Sequence, residues 1–213
     1  MVAGANFFCG LHETPFHSIK HCKKKAVRIK EIRIHGRGGQ GSLVLAQFMA
    51  IAALEDGKYG QAFPFLGGGG ERRGKPIVAF CRLSGAPIRR RSRVAEPDYV
   101  IVQDPTILEE LDVLEGMRLG GTVLINTEKE IDSLKSNERP AAIYTISADS
   151  LARKILGRPI INTALLGAFA ALTEEISLDA ALKAVRSKFP GSMGEKNAEL
   201  VSESYRRIME KTS

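Results

Sequence analysis

Tryptophan is absent from the sequence, and histidine and cysteine are scarce: the 213 residues include four histidines and three cysteines. Cys9, Cys22 and Cys81 are odd in number and widely spaced, so they do not form the disulfide framework of a small secreted protein. No apolar run is long and uncharged enough to span a bilayer, and the N-terminus does not show the pattern of a secretory signal. We therefore expect a cytoplasmic protein with no membrane partner.

Basic residues outnumber acidic residues by 31 to 24, which gives a net charge of +7. Much of the excess lies in residues 21–30 (HCKKKAVRIK) and 88–93 (IRRRSR). Such clusters are either solvated surface charges or contacts for a polyanion, and nucleic acid, a nucleotide phosphate and an acidic protein surface would each qualify. Because no aromatic residues alternate with the basic ones, the stacking platforms of single-strand binding are missing, and we expect no nucleic-acid partner.

Residues 1–26 show no periodic pattern, and we expect an N-terminal extension ahead of one folded domain over residues 27–213. A start codon assigned too far upstream would explain the same segment. The segment holds five residues that could in principle bind a metal: Cys9, His12, His17, His21 and Cys22. Their spacing matches no closed zinc module, so we predict no metal site.

Strand-type and helix-type patterns alternate from residue 27 onward. The strand candidates, in chain order, are VRIKEIRIHG, YGQAFPF, KPIVAFCRLS, DYVIVQD, GTVLINT and AAIYTIS. The helix candidates are GSLVLAQFMAIAALEDG, PTILEELDVL, ADSLARKIL, INTALLGAFAALTEE, SLDAALKAVRSKF and EKNAELVSESYRRIME. This alternation predicts an α/β fold: a Rossmann-like, doubly wound, mostly parallel sheet with helices on both faces, in three layers and one domain.

The segment HGRGGQG at residues 35–41 joins the first strand candidate to the first helix candidate. Glycine permits a tight turn and the close approach of a ligand, and the free N–H groups that begin a helix favour an anion. The candidate cofactor-binding residues are Gly36, Arg37, Gly38, Gly39, Gln40 and Gly41. The alternative is that the glycines only let the helix pack tightly on the strand, around an empty loop.

A nicotinamide dinucleotide fits this loop poorly. Dehydrogenases of this fold carry an acidic residue about 20 positions after the glycines, at the end of the second strand, where it binds the ribose. Asp56 has about that spacing, but it falls at the end of the helix candidate, which places it at the opposite edge of the sheet. The sequence therefore does not support a dinucleotide ligand.

Several ordered motifs give the chain a family resemblance. They are GRGGQG, DGKY, QAFP and ERRG within residues 32–88, EPDYVIVQDPTILE at residues 96–109, and PIINTALLGAFAA and EKNAELVSESY nearer the C-terminus. With these motifs, residues 27–209 resemble the gamma subunit of pyruvate:ferredoxin oxidoreductase and related 2-oxoacid:ferredoxin oxidoreductases. We expect no catalytic residue in this chain.

The resemblance implies a subunit, not active alone, that supports the coenzyme A-dependent oxidative decarboxylation of a 2-oxoacid, foremost pyruvate, to acyl-CoA, CO2 and reduced ferredoxin. Partner subunits of alpha, beta and delta type would carry thiamine diphosphate, Mg and the iron–sulfur clusters, and ferredoxin would be reached through the complex. This chain has no C-x-x-C run with which to hold a [4Fe–4S] cluster. Coenzyme A, as co-substrate, would contact the glycine loop. The alternative function is a stand-alone Rossmann-like nucleotide-binding regulatory protein.

The motif formed by Glu71, Arg72, Arg73 and Gly74 follows four glycines at residues 67–70, where the family has a shorter segment. The resemblance implies that these four residues contact coenzyme A or a partner subunit, and arginine forks match phosphate oxygens well. The alternative is that the arginines only hold a surface loop through ion pairs.

Three further residues have structural explanations. We expect His35, at a strand end, to be a hydrogen-bonded structural residue rather than a catalyst. Cys81 is predicted to be a small buried apolar group, and Asn162 to cap the helix that it begins.

Overall fold

The computed structural model describes residues 28–65, 73–129, 131 and 141–212. The N-terminal extension, the four glycines at 67–70, and Glu71 and Arg72 lie outside these residues, so the predictions about them stay predictions. No helix in the described ranges is long and apolar enough to cross a membrane.

A six-stranded sheet forms the centre of the described domain. Its strands are β1 (Lys30–Arg37), β2 (Tyr59–Pro64), β3 (Pro76–Ser84), β4 (Tyr99–Val102), β5 (Thr122–Asn126) and β6 (Ala142–Ile146). Across the sheet the order is β2-β3-β1-β4-β5-β6. β1, β4, β5 and β6 pair in parallel, whereas β3 runs antiparallel to both of its neighbours, β1 and β2. The predicted α/β fold with a mostly parallel sheet is confirmed.

Five α-helices pack together against one face of this sheet. They are α1 (Ser42–Glu55), α2 (Ala148–Leu156), α3 (Asn162–Thr173), α4 (Leu178–Lys188) and α5 (Ser192–Thr212). Their apolar residues form one continuous core with the strand residues that face them, including Ile32 and Ile34 of β1. α3 and α5 approach closely because Gly167 has no side chain: a Cβ there would lie 2.9 Å from the carbonyl carbon of Val201.

A smaller apolar cluster covers β4 and β5 on the opposite face of the sheet. The valine and isoleucine side chains that point this way pack against a short 3-10 helix (Pro105–Glu109) and the turns that follow it. Ile107 of that helix and Val113 of the turns are fully buried. The prediction of helices on both faces was wrong for the described residues: all five α-helices lie on one face, and the 3-10 helix and turns cover β4 and β5 on the other.

The segment PTILEELDVL, predicted to be a helix, forms only this 3-10 turn. Asp104 and Pro105 start it correctly, since the Asp104 carboxylate accepts a hydrogen bond from Thr106 N. It stops after one turn because Asp112 Oδ1 accepts from Leu114 N at 2.9 Å, which folds the backbone into a competing local turn. Ile107 is the one buried residue within the 3-10 helix, so no apolar stripe sustains a longer helix.

Candidate functional site

An open cleft of about 490 Å³ lies where the chain leaves the carboxyl ends of β1 and β4. From β1 the chain proceeds through α1 to β2 and β3 on one side of the sheet, whereas β4, β5 and β6 lie on the other side. Such a reversal of strand order is the place where α/β sheets bind ligands. The cleft is lined by Gly39, Gln40, Gly41, Gln103, Asp104, Pro105, Asp149, Pro159, Ile160, Ile161 and Asn162.

Three of the predicted glycines have distinct steric reasons to be glycine. Gly36 is the second-last residue of β1, and a Cβ there would lie 2.5 Å from Gln103 Oε1 and closer still to Ser42 Oγ. Gly39 and Gly41 have φ of 96° and 79°, a left-handed backbone that strains other residues. At Gly39 and Gly41 the backbone of the loop therefore borders the cleft directly, with no side chain in between.

Two helices begin at the cleft without a side-chain cap. α1 follows Gly41 and α3 follows Ile161, and neither helix start shows a side-chain hydrogen bond to its first-turn N–H groups. The unpaired N–H groups and the positive ends of both helix dipoles therefore converge on one space. This arrangement suits an anion, such as a phosphate group.

A buried polar network joins the two helix starts. Ser42 Oγ donates to Gln103 Oε1 at 2.5 Å, and Gln103 Nε2 donates to Asn162 Oδ1 at 2.8 Å. The Asn162 amide nitrogen then faces the glycine loop, 2.7 Å from where a Cβ on Gly41 would stand. The prediction that Asn162 caps its helix was wrong, because Ile161 is the N-cap residue and the Asn162 oxygen is taken by Gln103.

Two carboxylates supply hydrogen-bond acceptors to the same cleft. Asp104 Oδ2 accepts from Gln40 Nε2 at 2.9 Å, and Asp149 Oδ2 accepts from Asn126 Nδ2 at 2.7 Å. Burial acts to raise the pKa of Asp104, but hydrogen bonds from Thr106 and Gln40 outweigh it, so the net shift is downward. A cleft with both N–H donors and carboxylate acceptors favours a ligand that carries phosphate together with hydroxyl or amino groups, as nucleotides do.

Arg37 does not line the cleft, although the sequence predicted it as a charge for the anion. Its Nη2 lies 2.6 Å from Glu110 Oε1, and its Nε lies 3.4 Å from Asp104 Oδ2. The hydrogen bond with Glu110 is the main reason that the pKa of Arg37 is raised. Two carboxylates therefore compensate this charge, which leaves it poorly placed for a phosphate.

The structure brings Arg73 and Gly74 beside the glycine loop. Gly38 and Arg73 form a parallel β-bridge, Gly74 N donates to Gly38 O at 3.0 Å, and Gly38 N donates to Lys75 O at 2.9 Å. The Arg73 side chain passes 3.7 Å from where a Cβ on Gly39 would stand. Arg73 is exposed and forms no salt bridge with any residue of the described ranges, so it replaces Arg37 as the candidate cation at the loop.

Three other residues singled out in the sequence lie away from the cleft. Cys81 is buried in the helix-side core, as predicted, and burial raises the pKa of its thiol. Asp56 lies at the far end of α1, roughly 20 Å from the glycine loop at 1.5 Å per helical residue, and it binds Ser177 N and Oγ at 2.6 Å. His35 is buried on the other sheet face, but neither ring nitrogen has a hydrogen-bond partner in the described part of the chain, which contradicts the hydrogen-bonded role predicted for it.

Gln103 and Asp149 are site residues that sequence reasoning missed. Gln103 directly follows the buried strand β4, and polar residues that follow a buried strand at this edge of a sheet signal a site. Asp149 stands in the first turn of α2 and gives no comparable signal, because acidic residues are common at helix starts.

The chain matches the family model described as pyruvate ferredoxin/flavodoxin oxidoreductase over residues 31–207. It is 48% identical over 178 residues to the pyruvate synthase subunit PorC of Methanothermobacter marburgensis, across 84% of this chain and 97% of that one. It is 44% identical over 181 residues to the pyruvate/ketoisovalerate oxidoreductases common subunit gamma of Thermococcus kodakarensis, across 84% and 97% of the two chains. The crystal structure of the pyruvate oxidoreductase subunit PORC from Thermotoga maritima superimposes with a TM-score of 0.71 at 33% identity, and the match covers 84% of this chain and 96% of that one.

Proposed function

The chain belongs to the pyruvate ferredoxin/flavodoxin oxidoreductase family, and we propose that it serves as the gamma subunit of a pyruvate:ferredoxin oxidoreductase and holds coenzyme A at the glycine-loop cleft. The assembled enzyme would convert pyruvate and coenzyme A to acetyl-CoA and CO2 and pass two electrons to ferredoxin. The role of this chain is to bind and orient coenzyme A at the mouth of the active site.

The single observation that supports this role is the convergence of two uncapped helix starts on one cleft, with the exposed Arg73 beside its glycine loop. Coenzyme A carries a pyrophosphate and a 3′-phosphate on an adenosine. The phosphates suit the helix N–H groups and the arginine, whereas the ribose hydroxyls and the adenine amino group suit Asp104 and Asp149. Each charge-assisted contact of this kind contributes about 1.5–3 kcal/mol.

We assign the remaining chemistry to partner subunits, for which the proposal is alpha, beta and delta types. Within the described ranges, no three His, Cys, Asp or Glu side chains cluster closely enough to ligate a metal ion. The residues described here therefore do not fit the Mg²⁺ of thiamine diphosphate or an iron–sulfur cluster, and we assign no step of decarboxylation or electron transfer to them.

A stand-alone nucleotide-binding regulator would use the same cleft, and it is the less favoured alternative. The relatives that this chain matches over 97% of their length bear the names of enzyme subunits. Purification of the native complex distinguishes the two functions. We expect this chain to copurify with chains that carry thiamine diphosphate and iron–sulfur clusters, and its isolation as a free protein would contradict the subunit assignment.

Substitution of Gly41 tests the coenzyme A site. A Cβ at Gly41 would meet the Asn162 amide nitrogen at 2.7 Å, at the uncapped start of α1. Gly41→Ala should raise the Kd of the purified chain for coenzyme A, measured by calorimetry, by about tenfold or more, which corresponds to about 1.4 kcal/mol of binding free energy. The KM of the assembled enzyme for coenzyme A should rise by a similar factor.

Gly120→Ala is the matched control. Gly120 has a similar φ of 73°, so both alanines impose the same backbone strain, but no atom lies within 4 Å of its added Cβ. Equal effects of the two substitutions on coenzyme A binding would show that backbone strain alone is responsible. Normal binding by a folded Gly41→Ala variant would show that coenzyme A does not bind in this cleft, but it would not contradict the subunit assignment.

A further inference from the structure

A second pocket, of about 290 Å³, opens on the sheet face that carries no α-helix. Its walls are largely apolar and come from Phe65, Val78, Phe80, Val94 and Leu111. Arg33 and His35 of β1 lie at its floor, where they are 9% and 5% exposed. The pocket shares no lining residue with the glycine-loop cleft, so a ligand in this pocket would be independent of the proposed function.

The floor of this pocket has polar atoms without partners. Arg33 Nε and both ring nitrogens of His35 are buried and make no hydrogen bond to the described part of the chain. Arg33 Nη2 donates to the carbonyl oxygens of Val113 and Glu115, at 2.9 and 2.6 Å, but no described carboxylate forms a salt bridge with this guanidinium. A buried cation and a buried imidazole in this state are costly, because buried polar groups are stable only when they are paired.

Arg82, on the same sheet face, is a buried arginine that does have a carboxylate partner. It is fully buried, it donates to Glu31 Oε1 at 2.8 Å and to Ser92 O at 2.6 Å, and its guanidinium stacks on the Phe63 ring. Arg33 has the carbonyl contacts, but no carboxylate of the described residues forms a salt bridge with it. An oxygen anion within reach of Arg33 Nε would supply the same kind of partner that Arg82 has in Glu31.

The charges around the pocket place that anion at the floor and not at the rim. Asp112, Glu115 and Arg93 also line the pocket, but all three are exposed. Burial lowers the pKa of Arg33, and negative charge from Glu115 and Asp112 opposes this shift only in part. Because the guanidinium of arginine is not deprotonated in proteins, the side chain keeps its positive charge. The neutral His35 ring offers one N–H donor beside it, which can bind the second oxygen of a carboxylate.

From this geometry we propose that the pocket binds a small aliphatic carboxylic acid, with its carboxylate on Arg33 and His35 and its short apolar chain against Phe80 and Val78. Phe65 and Phe80, with ring centroids 5.9 Å apart, supply the apolar wall. The volume suits a short, branched chain: a dry apolar cavity of about 150 Å³ already accommodates benzene.

The experiment uses isobutyrate as the probe, isobutyramide as its uncharged match, and the full-length chain. The His35 ring resonance, identified by its loss in a His35→Gln variant, is followed by NMR during each titration. We expect a saturable shift with isobutyrate, with a Kd of about 1 mM for so small a ligand, and a response to isobutyramide at least tenfold weaker.

Arg33→Met should weaken isobutyrate binding at least tenfold, whereas Arg91→Met, at an exposed arginine outside the pocket, should leave it unchanged. Should Arg33→Met fail to fold, Val78→Phe fills the pocket without touching the charge and should also abolish the shift. Equal binding of the acid and the amide, no saturable shift with either probe, or full binding by the Arg33→Met or Val78→Phe variant would overturn the proposal.

Discussion

The two faces of β1 bury their side chains by different means. Ile32 and Ile34 are fully buried among the apolar side chains of the helices, and there packing alone decides stability. Glu31, Arg33 and His35 are nearly as buried on the other face, but each of them requires a polar partner. Glu31 has one in Arg82, whereas the Arg33 Nε and the His35 ring have none among the described residues. Stability on the helix face thus depends on shape, and on the other face it depends on charge pairing.

The largest expected effect comes from breaking the buried Glu31–Arg82 pair on the second face. Glu31→Ala leaves Arg82, whose side chain is 0% exposed, without its carboxylate. Loss of one partner from a buried pair costs about 3–5 kcal/mol. We expect a decrease of that size in the free energy of unfolding, measured by urea denaturation of the isolated chain.

Glu96→Ala is the control for this prediction. Glu96 is 71% exposed, and its Oε2 lies 3.6 Å from Arg118 Nη2. The same Arg118 nitrogen also pairs with Glu31. Its loss should change the free energy of unfolding by under about 1 kcal/mol, as for other surface pairs. If the two alanine variants were equally stable, the contrast between buried and exposed pairs on this face would be refuted.

Overpacking should give the largest effect on the helix face. Gly167→Ala forces a methyl group into the backbone of Val201, because α3 and α5 meet at this glycine. We expect a loss of about 3 kcal/mol in the free energy of unfolding, at the upper end for an overpacked core. The intrinsic helix preference of alanine over glycine works in the opposite direction, by about 1 kcal/mol. A more stable Gly167→Ala variant would show that the two helices separate without cost.

The pH dependence of stability should report the protonation of the buried His35. Burial, reinforced by the positive charge of Arg33, lowers the pKa of His35 to about 3. As the pH falls below about 6.5, His35 becomes protonated in the unfolded chain but stays neutral in the folded chain. The folded state therefore loses stability progressively as the pH falls from about 6.5 towards 3. Between pH 7 and pH 5 this one residue should account for about 2 kcal/mol.

The measurement compares urea denaturation of the wild type and of His35→Leu at pH 7 and at pH 5. Leucine cannot take up the proton, so the variant should lose about 2 kcal/mol less than the wild type over this range. Parallel pH profiles for the two proteins would mean that the His35 ring is solvated or paired in solution.

The smallest expected effect concerns a polar contact at the rim of the helix face. Asp56 accepts hydrogen bonds from Ser177 N and Oγ and so ties the end of α1 to the start of α4. Because the contact is exposed, Asp56→Ala should lower the free energy of unfolding by only about 1 kcal/mol. Coenzyme A affinity should not change, and a weakened affinity would place Asp56 in the ligand site after all.

Local patterns in the sequence carried much of the fold. The alternation in β1 and the glycines between β1 and α1 predicted the strand, the loop and the helix where they occur, because each depends on a short stretch of chain. The helix expected after Asp104 does not form, for an equally local reason: Asp112 makes a turn there. The periodicity of the segment gives no sign of this turn.

Pairings between distant segments were beyond the sequence. Arg37 was predicted for the anion because nothing near it in the chain shows that Glu110 would take its charge. The contact of Gly38 with Arg73 brings together two motifs that sequence reasoning treated separately. That Arg33 Nε has no hydrogen-bond partner among the described residues could not be foreseen for the same reason, since it depends on which elements cover that face of the sheet.

The amide of Gln103 has a consequence for how this chain can change over generations. It accepts from Ser42, 61 positions away, and donates to Asn162, 59 positions away. The side chain of Gln103 therefore joins two residues that are both far from it in the sequence. A change at Gln103 leaves a buried group unpaired on both of the others, and a change at Ser42 or Asn162 leaves one unpaired on Gln103, each at about 1–3 kcal/mol. Lineages that alter the start of α1 should therefore alter Gln103 and the start of α3 together, and the three positions should be inherited as a unit.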